Sequence, residues 1–357
     1  MTRRFLIITF AVLAAFACAT GDRADKDEEE EDAVEVQAMR YSASPGRTPV
    51  GVIPSASLRD AKRERDVSLT IDYPTRGGPH PLIVFSHGAG ANGRAYVGLS
   101  SHWASHGYVV IKPTHPDNVR LADLAASDFR ERVGDITFVL DSLDALETKY
   151  PELKGKIDRA RIGVGGHSLG AMTAIQLAGA RTFHPAPVSY ADPRVKAVIA
   201  MSPQGPREEW GLTRESWAEI KTPVMFMTGD RDAGMEGEKP EWRREPFELS
   251  AAGDKWLVYI PGAGHFAFAG RTGITQEEAT RPTHSAIDDP SNNPLSPRRM
   301  DPNRVPRGNM VDDLRSITGA VRALSLAFWD AYLRGEAKGT EHLEKSKDRG
   351  DLEVKRK

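Results

Sequence analysis

Short apolar runs rich in β-branched and aromatic residues recur through the middle of the chain and predict strands. They lie at Val67–Tyr73, Pro81–Ser86, Tyr108–Lys112, Arg161–Gly165, Val195–Met201, Val224–Thr228 and Trp256–Ile260. Several of these runs are continuous instead of alternating with polar residues, which is typical of strands buried on both faces of a parallel sheet.

Helical patterns fill the intervals between these strands. Asp128–Glu131 predicts a helix start, and a second amphipathic helix lies near the end of the chain. The apolar faces are Val133, Ile136, Leu140, Leu143 and Leu146 in the first case, and Leu314, Ile317, Val321, Leu324 and Phe328 in the second. This alternation predicts an α/β fold with a mostly parallel central sheet and helices on both faces.

The N-terminus has the pattern of an export signal over residues 1–19. Basic residues precede an apolar run, Phe5–Phe16, that is too short to cross a bilayer. Cys18, the single cysteine of the chain, follows this run, so the stretch also resembles a bacterial lipobox, from which Ala15 and Phe16 depart. We expect an exported protein, and we favour a membrane anchor through a lipid on Cys18 over plain secretion or release into a periplasm.

Three other regions do not continue the alternation of strands and helices. Residues 20–60 carry an acidic run and predict a largely disordered tether. Residues 281–309 are rich in Pro, Asn, Asp and Arg and predict an irregular inserted loop, and residues 336–357 predict a charged C-terminal tail. One folded domain is therefore expected over residues 61–335.

Composition and charge exclude several classes of protein. The chain has 48 Lys and Arg against 50 Asp and Glu, a formal net charge of -2, so no nucleic-acid partner is expected. A lone cysteine cannot form an internal disulfide, and no cluster of Cys and His has the spacing of a zinc site. We therefore expect no metal.

The first candidate for chemistry is the pentapeptide Gly166–Gly170, which reads Gly-His-Ser-Leu-Gly. It stands between a predicted strand and a predicted helix of small residues, Ala171–Ala180. Such a sharp turn holds its middle residue in strained backbone angles, and the flanking glycines avoid a clash. The turn raises the Ser168 hydroxyl above the sheet at a helix N-terminus, which makes Ser168 a candidate nucleophile.

A serine nucleophile needs a histidine base oriented by a carboxylate, in the chain order Ser, acid, His. His265 is the candidate base because it directly follows a predicted strand, whereas His284 lies in the irregular loop and His342 in the charged tail. The candidate acids are Asp230 and Asp232, both at the carboxyl end of a predicted strand, where open α/β sheets place their sites. The residues alone do not decide which of these two carboxylates orients the histidine.

Two alternatives to nucleophilic serine chemistry have their own support. Gly88, Gly90 and Gly93 follow a strand with the spacing G-x-G-x-x-G and would fit an NAD(P)-binding oxidoreductase, with Asp117 as its acid. That interpretation leaves Ser168 without a role. The other alternative is a non-catalytic binding protein on the same scaffold.

The motifs, taken in order, resemble the α/β-hydrolase superfamily. The residues that carry the resemblance are Phe85-Ser-His-Gly-Ala-Gly90, Trp103-Ala-Ser-His-Gly-Tyr-Val-Val110, Gly166–Gly170, Thr228-Gly-Asp-Arg-Asp232, Gly262-Ala-Gly-His265 and Ala327-Phe-Trp-Asp-Ala-Tyr-Leu333. Within the superfamily the chain resembles dienelactone-hydrolase-like serine esterases, with cutinase-type polyester hydrolases and platelet-activating-factor acetylhydrolases as relatives. True dienelactone hydrolases have a cysteine nucleophile, so Ser168 argues against dienelactone as the substrate.

The resemblance implies a carboxylic ester hydrolase that works through an acyl-enzyme, with residues 61–335 as its catalytic domain. It implies a triad of Ser168, Asp232 and His265, since the acid in such enzymes is the second one after the strand glycine. We expect a monomer that acts on a small-molecule or lipid ester and needs no cofactor.

The remaining expectations concern the surroundings of the reacting groups. By family position, one backbone N–H of the oxyanion hole belongs to Ala89, and the other belongs to Leu169, which follows the nucleophile. Aromatic residues near these positions, Tyr96 and Phe266, are candidate substrate contacts, although core packing is the commoner role of aromatic side chains.

Overall fold

The computed structural model describes residues 41–116, 126–183, 186–269 and 308–357. The predicted export signal, the acidic run and His284 lie outside these residues, as does the predicted inserted loop apart from residues 308 and 309. In the described part of the chain, no helix is long and apolar enough to span a membrane.

The strands within those ranges are β1 (Val50–Asp60), β2 (Arg65–Pro74), β3 (His80–Ser86), β4 (Val109–Thr114), β5 (Ile157–His167), β6 (Arg181–Phe183), β7 (Pro187–Ser189), β8 (Val195–Met201), β9 (Val224–Arg231), β10 (Lys255–Gly264) and β11 (Glu353–Arg356). Nine of them form one sheet in the order β1-β2-β4-β3-β5-β8-β9-β10-β11, while β6 and β7 pair separately. The run from β4 to β10 is parallel, and β1, β2 and β11 pair antiparallel. This is the mostly parallel α/β-hydrolase sheet that the sequence predicts.

Helices cover both faces of the sheet. They are α1 (Val97–Ser105), α2 (Ala126–Asp141), α3 (Leu143–Lys149), α4 (Leu169–Leu177), α5 (Glu245–Leu249), α6 (Gly308–Trp329) and α7 (Ala337–Lys345). Successive residues of a strand point to opposite faces, so Val84 of β3 packs into one apolar core while Ile83 and Phe85 pack into the other. The first core contains side chains of α2, α3 and α4, and the second contains side chains of α1 and α6.

The domain extends beyond the predicted boundaries at both ends. Val50–Asp60, predicted as tether, is edge strand β1, which pairs with β2 and buries Ala56 and Leu58. Part of the predicted charged tail is also folded, because α7 and β11 lie within residues 336–357 and Val354 pairs with Val258 of β10. Edge strands need few buried side chains, so neither segment carries the apolar run of an interior strand.

The strand order brings the candidate residues to one edge of the sheet. The loops after β3, β5, β9 and β10 all leave the carboxyl ends of parallel strands, and neighbouring loops therefore lie on the same side. Ala89, Ser168, Asp232 and His265 belong to these four loops.

Candidate active site

Ser168 occupies a strained turn between β5 and α4. Its backbone has φ 55° and ψ -121°, a conformation that non-glycine residues rarely adopt, and it is the residue immediately before the helix. The Ser168 N–H donates to the Met201 carbonyl oxygen of β8 at 2.9 Å, which ties the turn to the neighbouring strand. Ser168 as a whole is 8% exposed, so it is largely buried.

The glycines on either side of Ser168 are required by close backbone contacts. A methyl group on Gly166 would overlap the backbone of Gly170, and one on Gly170 would overlap the carbonyl group of Ser86. These contacts are the steric reason that the sequence predicts for the two glycines of the pentapeptide.

Asp232 and His265 form a buried hydrogen-bonded pair. Asp232 Oδ1 accepts from His265 Nδ1 at 2.9 Å, and the ring of His265 packs against that of His167, with 4.7 Å between centroids. Because Nδ1 carries the proton in this bond, the neutral imidazole has its lone pair on Nε2. The His265 side chain is 12% exposed, whereas that of Asp232 is fully buried.

A buried arginine that sequence reasoning missed neutralises Asp232. Arg243 Nε lies 2.7 Å from Asp232 Oδ1, and Thr228 Oγ1 donates to Asp232 Oδ2 at 2.9 Å. Burial by itself would raise the pKa of Asp232, but the Arg243 charge and the hydrogen bond from His265 outweigh it and hold the pKa below its usual value. Asp232 is therefore a carboxylate at neutral pH.

The structure separates the other candidates from this pair. Asp230 is exposed and its Oδ1 accepts from the Gly262 N–H at 2.6 Å, so it caps a turn. His342, which belongs to the predicted charged tail, is half-buried in α7, where its ring packs against Tyr41 and burial lowers its pKa to about 4.

The two predicted oxyanion donors belong to the turn of Ser168 and to the loop after β3. Leu169 is the first residue of α4, where a backbone N–H has no acceptor within the helix. Ala89 follows Gly88, on which a methyl group would lie 3.4 Å from Ser168 Cβ. The loop after β3 therefore lies close to Ser168, and α1 begins only at Val97, so the G-x-G-x-x-G segment does not open a helix.

A buried polar network supports the loop after β3. His87 Nδ1 donates to the Gly88 carbonyl oxygen at 2.7 Å, and its Nε2 accepts from the His115 N–H at 3.0 Å. Arg132 Nη1 donates to the His87 carbonyl oxygen at 2.6 Å. Burial holds the pKa of His87 well below its ordinary value, so this neutral ring has a fixed tautomer.

His115 extends this network to Ser86 and Asp135. Its Nε2 lies 2.8 Å from Ser86 Oγ, and its Nδ1 lies 2.8 Å from Asp135 Oδ2. All three side chains are almost inaccessible to water, so this second Ser, His and Asp group stabilises the loop and has no access to a substrate. No motif in the sequence brings these residues together.

The two aromatic candidates for substrate contact differ in exposure. Phe266 is half-buried, and its ring packs edge-on against His265, the candidate base, with 5.2 Å between centroids. Tyr96 is 8% exposed, and its hydroxyl forms hydrogen bonds with the Gly88 N–H and with His167 Nδ1. The Tyr96 hydroxyl therefore supports the loop after β3.

Comparisons with known proteins agree with this architecture. The Chlorophyllase family model matches residues 45–204, less than half of the chain. Cutinase 2 of Thermobifida cellulosilytica is 25% identical over 201 residues, which cover 56% of this chain and 65% of the cutinase. Cutinase est1 of Thermobifida alba is 26% identical over 200 residues, covering 56% of this chain and 57% of the relative.

A third relative has a more specific name. Bis(hydroxyethyl) terephthalate hydrolase of Streptomyces coelicolor is 29% identical over 202 residues, covering 56% of this chain and 55% of that protein. The chain thus spans between about half and two thirds of the length of these curated relatives. The similarities and the strand order confirm the predicted relationship: the chain has the α/β-hydrolase fold and is related to the cutinase-type polyester hydrolases.

Proposed function

We propose that this protein is a serine hydrolase that cleaves carboxylic esters through an acyl-enzyme. The observation that carries the proposal is the buried hydrogen bond between His265 Nδ1 and Asp232 Oδ1, on loops that adjoin the strained turn of Ser168. The names of the relatives support the same reaction, since the Thermobifida proteins are cutinases and the Streptomyces protein is a terephthalate ester hydrolase.

The reaction proceeds in two halves. Ser168 Oγ attacks the ester carbonyl carbon while His265 Nε2 accepts the hydroxyl proton, and Asp232 stabilises the imidazolium that forms. The Ala89 and Leu169 N–H groups donate to the oxygen that becomes negative. His265 then gives its proton to the departing alcohol, and a water molecule activated by the same residue frees the acid and restores Ser168.

The test is hydrolysis of p-nitrophenyl esters of increasing acyl length, with bis(hydroxyethyl) terephthalate as a further substrate. Wild type should release p-nitrophenol and should react covalently with a fluorophosphonate probe, whereas Ser168→Ala should lose at least about 10⁴-fold in kcat/KM and all labelling. Ser68→Ala, on an exposed position of β2, is the matched control. Residual activity of Ser168→Ala within tenfold of wild type would refute the nucleophile, and a wild type without esterase activity or labelling would favour a binding protein.

We further propose that the protein is exported and attached to a membrane by a lipid on Cys18. The support is the apolar run Phe5–Phe16 after basic residues, with the single cysteine, Cys18, two residues after its end. In an exporting bacterial host, Cys18→Ser should move the protein from the membrane fraction to the soluble fraction. Unchanged fractionation would contradict the anchor and leave a plain export signal.

A further inference from the structure

A chain of hydrogen bonds links the loops that carry the candidate site. The Gly88 N–H donates to Tyr96 Oη at 3.0 Å, and the Tyr96 hydroxyl lies 2.9 Å from His167 Nδ1. His167 Nε2 in turn lies 2.8 Å from the carbonyl oxygen of His265. The chain therefore runs from the loop after β3, through Tyr96 and the last residue of β5, to the loop after β10.

The direction of each bond in this chain is determined by its ends. The His265 carbonyl oxygen can only accept, so His167 Nε2 carries a proton and the neutral ring has an acceptor at Nδ1. The Tyr96 hydroxyl then donates to Nδ1 and accepts from the Gly88 N–H. Burial, reinforced by the neighbouring His265, lowers the pKa of His167 to about 3, so the neutral ring persists across the working range of a histidine base.

Each bond of the chain ends one residue from a reacting group, or on it. Gly88 precedes Ala89, whose N–H is a proposed oxyanion donor, and His167 precedes Ser168. The third bond ends on the backbone carbonyl oxygen of His265, the proposed base. A shift of any one loop would thus change the distances among donor, nucleophile and base.

We propose that Tyr96 and His167 are positioning residues for ester hydrolysis. They hold the loop after β3, Ser168 and His265 at fixed distances from one another. This inference rests on the proposed function, because these distances matter only if the three groups act together. Removal of one oxyanion donor costs about 10²–10³ in kcat, and a misplacement of 1 Å costs about 10²-fold. Loss of the Tyr96 hydroxyl, which displaces a donor without removing it, should cost about 10–100-fold.

The test compares Tyr96→Phe with Tyr332→Phe. The Tyr96 ring packs against Phe85 with 4.9 Å between centroids, so phenylalanine keeps the ring and loses only the hydroxyl. The Tyr332 hydroxyl also has two partners, since it accepts from Trp256 Nε1 at 2.8 Å and donates to Asp254 Oδ1 at 2.9 Å. Trp256 is the second residue of β10 and Asp254 precedes that strand, so both partners lie at the end of β10 away from His265. Tyr332→Phe therefore controls for the loss of a comparable pair of hydrogen bonds.

With p-nitrophenyl butyrate, Tyr96→Phe should lose about 10–100-fold in kcat/KM, mostly in kcat, while Tyr332→Phe stays within about twofold of wild type. Thermal unfolding followed by circular dichroism should show similar, small decreases in Tm for both variants. A purely structural role would lower the two activities equally, because both variants would then act only through stability.

A second pair of variants tests His167. His167→Gln keeps one acceptor and one donor near the positions of the ring nitrogens, whereas His167→Leu keeps neither. The glutamine variant should therefore retain at least about tenfold more kcat/KM than the leucine variant. Equal losses in the two variants would refute a role for the hydrogen bonds.

A measurement on the resting protein separates this inference from the proposed function. ¹⁵N NMR of the wild-type His167 ring at pH 7 should show the neutral tautomer with the proton on Nε2. A proton on Nδ1, or an active wild type in which Tyr96→Phe is as active as Tyr332→Phe, would overturn the positioning role alone. A wild type that hydrolyses none of the esters would overturn the proposed function, and the positioning role with it.

Discussion

Replacement of Arg243 by methionine tests whether a single buried charge maintains the acid of the site. The Arg243 side chain is 2% exposed, and its Nε lies 2.7 Å from Asp232 Oδ1. The guanidinium also donates to the backbone carbonyl oxygens of Asp232, Ser202, Pro203 and Ala233. Methionine keeps the apolar stem and leaves the fully buried carboxylate without its countercharge.

The expected magnitude follows from the burial of both partners. Removal of one partner of a buried ion pair costs about 3–5 kcal/mol, since the other charge remains desolvated. The free energy of unfolding of Arg243→Met at pH 7.5 should fall by this amount. Arg159→Met is the matched control, because Arg159 is 43% exposed and pairs with Asp144 on the surface, where an ion pair contributes less than about 1 kcal/mol.

The pH dependence of this difference has a definite sign. The pKa of Asp232 is lowered in the folded protein, so its contribution to stability is present above the unfolded value and is lost as pH falls through the folded value. Without Arg243, burial should instead raise that pKa, and protonation should relieve the orphan charge. The stability difference between wild type and Arg243→Met should therefore be smaller at pH 4.5 than at pH 7.5.

Urea unfolding followed by tryptophan fluorescence measures the effect, with linear extrapolation to water. The double variant Arg243→Met, Asp232→Asn should be at least about 1 kcal/mol more stable than Arg243→Met, because asparagine removes the buried charge. The reasoning is refuted if Arg243→Met loses no more stability than Arg159→Met, or if the double variant is the less stable of the two.

Two further predictions concern the chemistry itself. Asp232→Asn should lower kcat by about 10³–10⁴-fold, because asparagine favours the wrong tautomer of His265. Asp230→Asn should stay within about tenfold of wild type. The reverse ranking of the two variants in steady-state assays would assign the acid to Asp230. His265→Gln should abolish activity, because glutamine cannot accept the serine proton, whereas His342→Gln should stay within about tenfold of wild type. Loss of activity in His342→Gln with the fold intact would contradict the assignment of the base.

The interior of the fold could be predicted from the sequence because each interior strand is its own apolar run. Val195–Met201 coincides with the predicted strand, and the other interior strands differ from theirs only at the ends. The edge strands could not be predicted in this way. β1 contains a glycine and a proline and changes register between Ile53 and Ala56, and β11 consists of Glu-Val-Lys-Arg. The stability of β1 and β11 depends on pairing with β2 and β10, and the local pattern of apolar residues does not indicate that pairing.

The same distinction applies to the candidate site. The pentapeptide around Ser168 and the position of His265 after a strand could be found because backbone geometry imposes them on adjacent residues. The ion pair of Arg243, the hydrogen bonds of the Tyr96 hydroxyl and the role of His167 could not, because no local sequence pattern specifies which side chains meet in the fold. Tyr96 and His167 are 71 residues apart, and His167 is 98 residues from the carbonyl group that it contacts. Only the strand order brings such pairs together.

These distant contacts hold the candidate base at two points. Asp232 fixes the His265 ring through Nδ1 and is itself fixed by Arg243, while His167 fixes the His265 backbone through its carbonyl oxygen. An imidazole held at only one of these points could pivot about it, and its Nε2 would then sample positions away from Ser168. Since general-base catalysis requires Nε2 within hydrogen-bond reach of the hydroxyl, either loss lowers the reactive population. Arg243→Met and Tyr96→Phe should therefore both displace His265 Nε2, the first through Asp232 and the second through His167. If these two supports are independent, the activation free energies lost in the single variants should add nearly completely in the double variant, as measured by kcat.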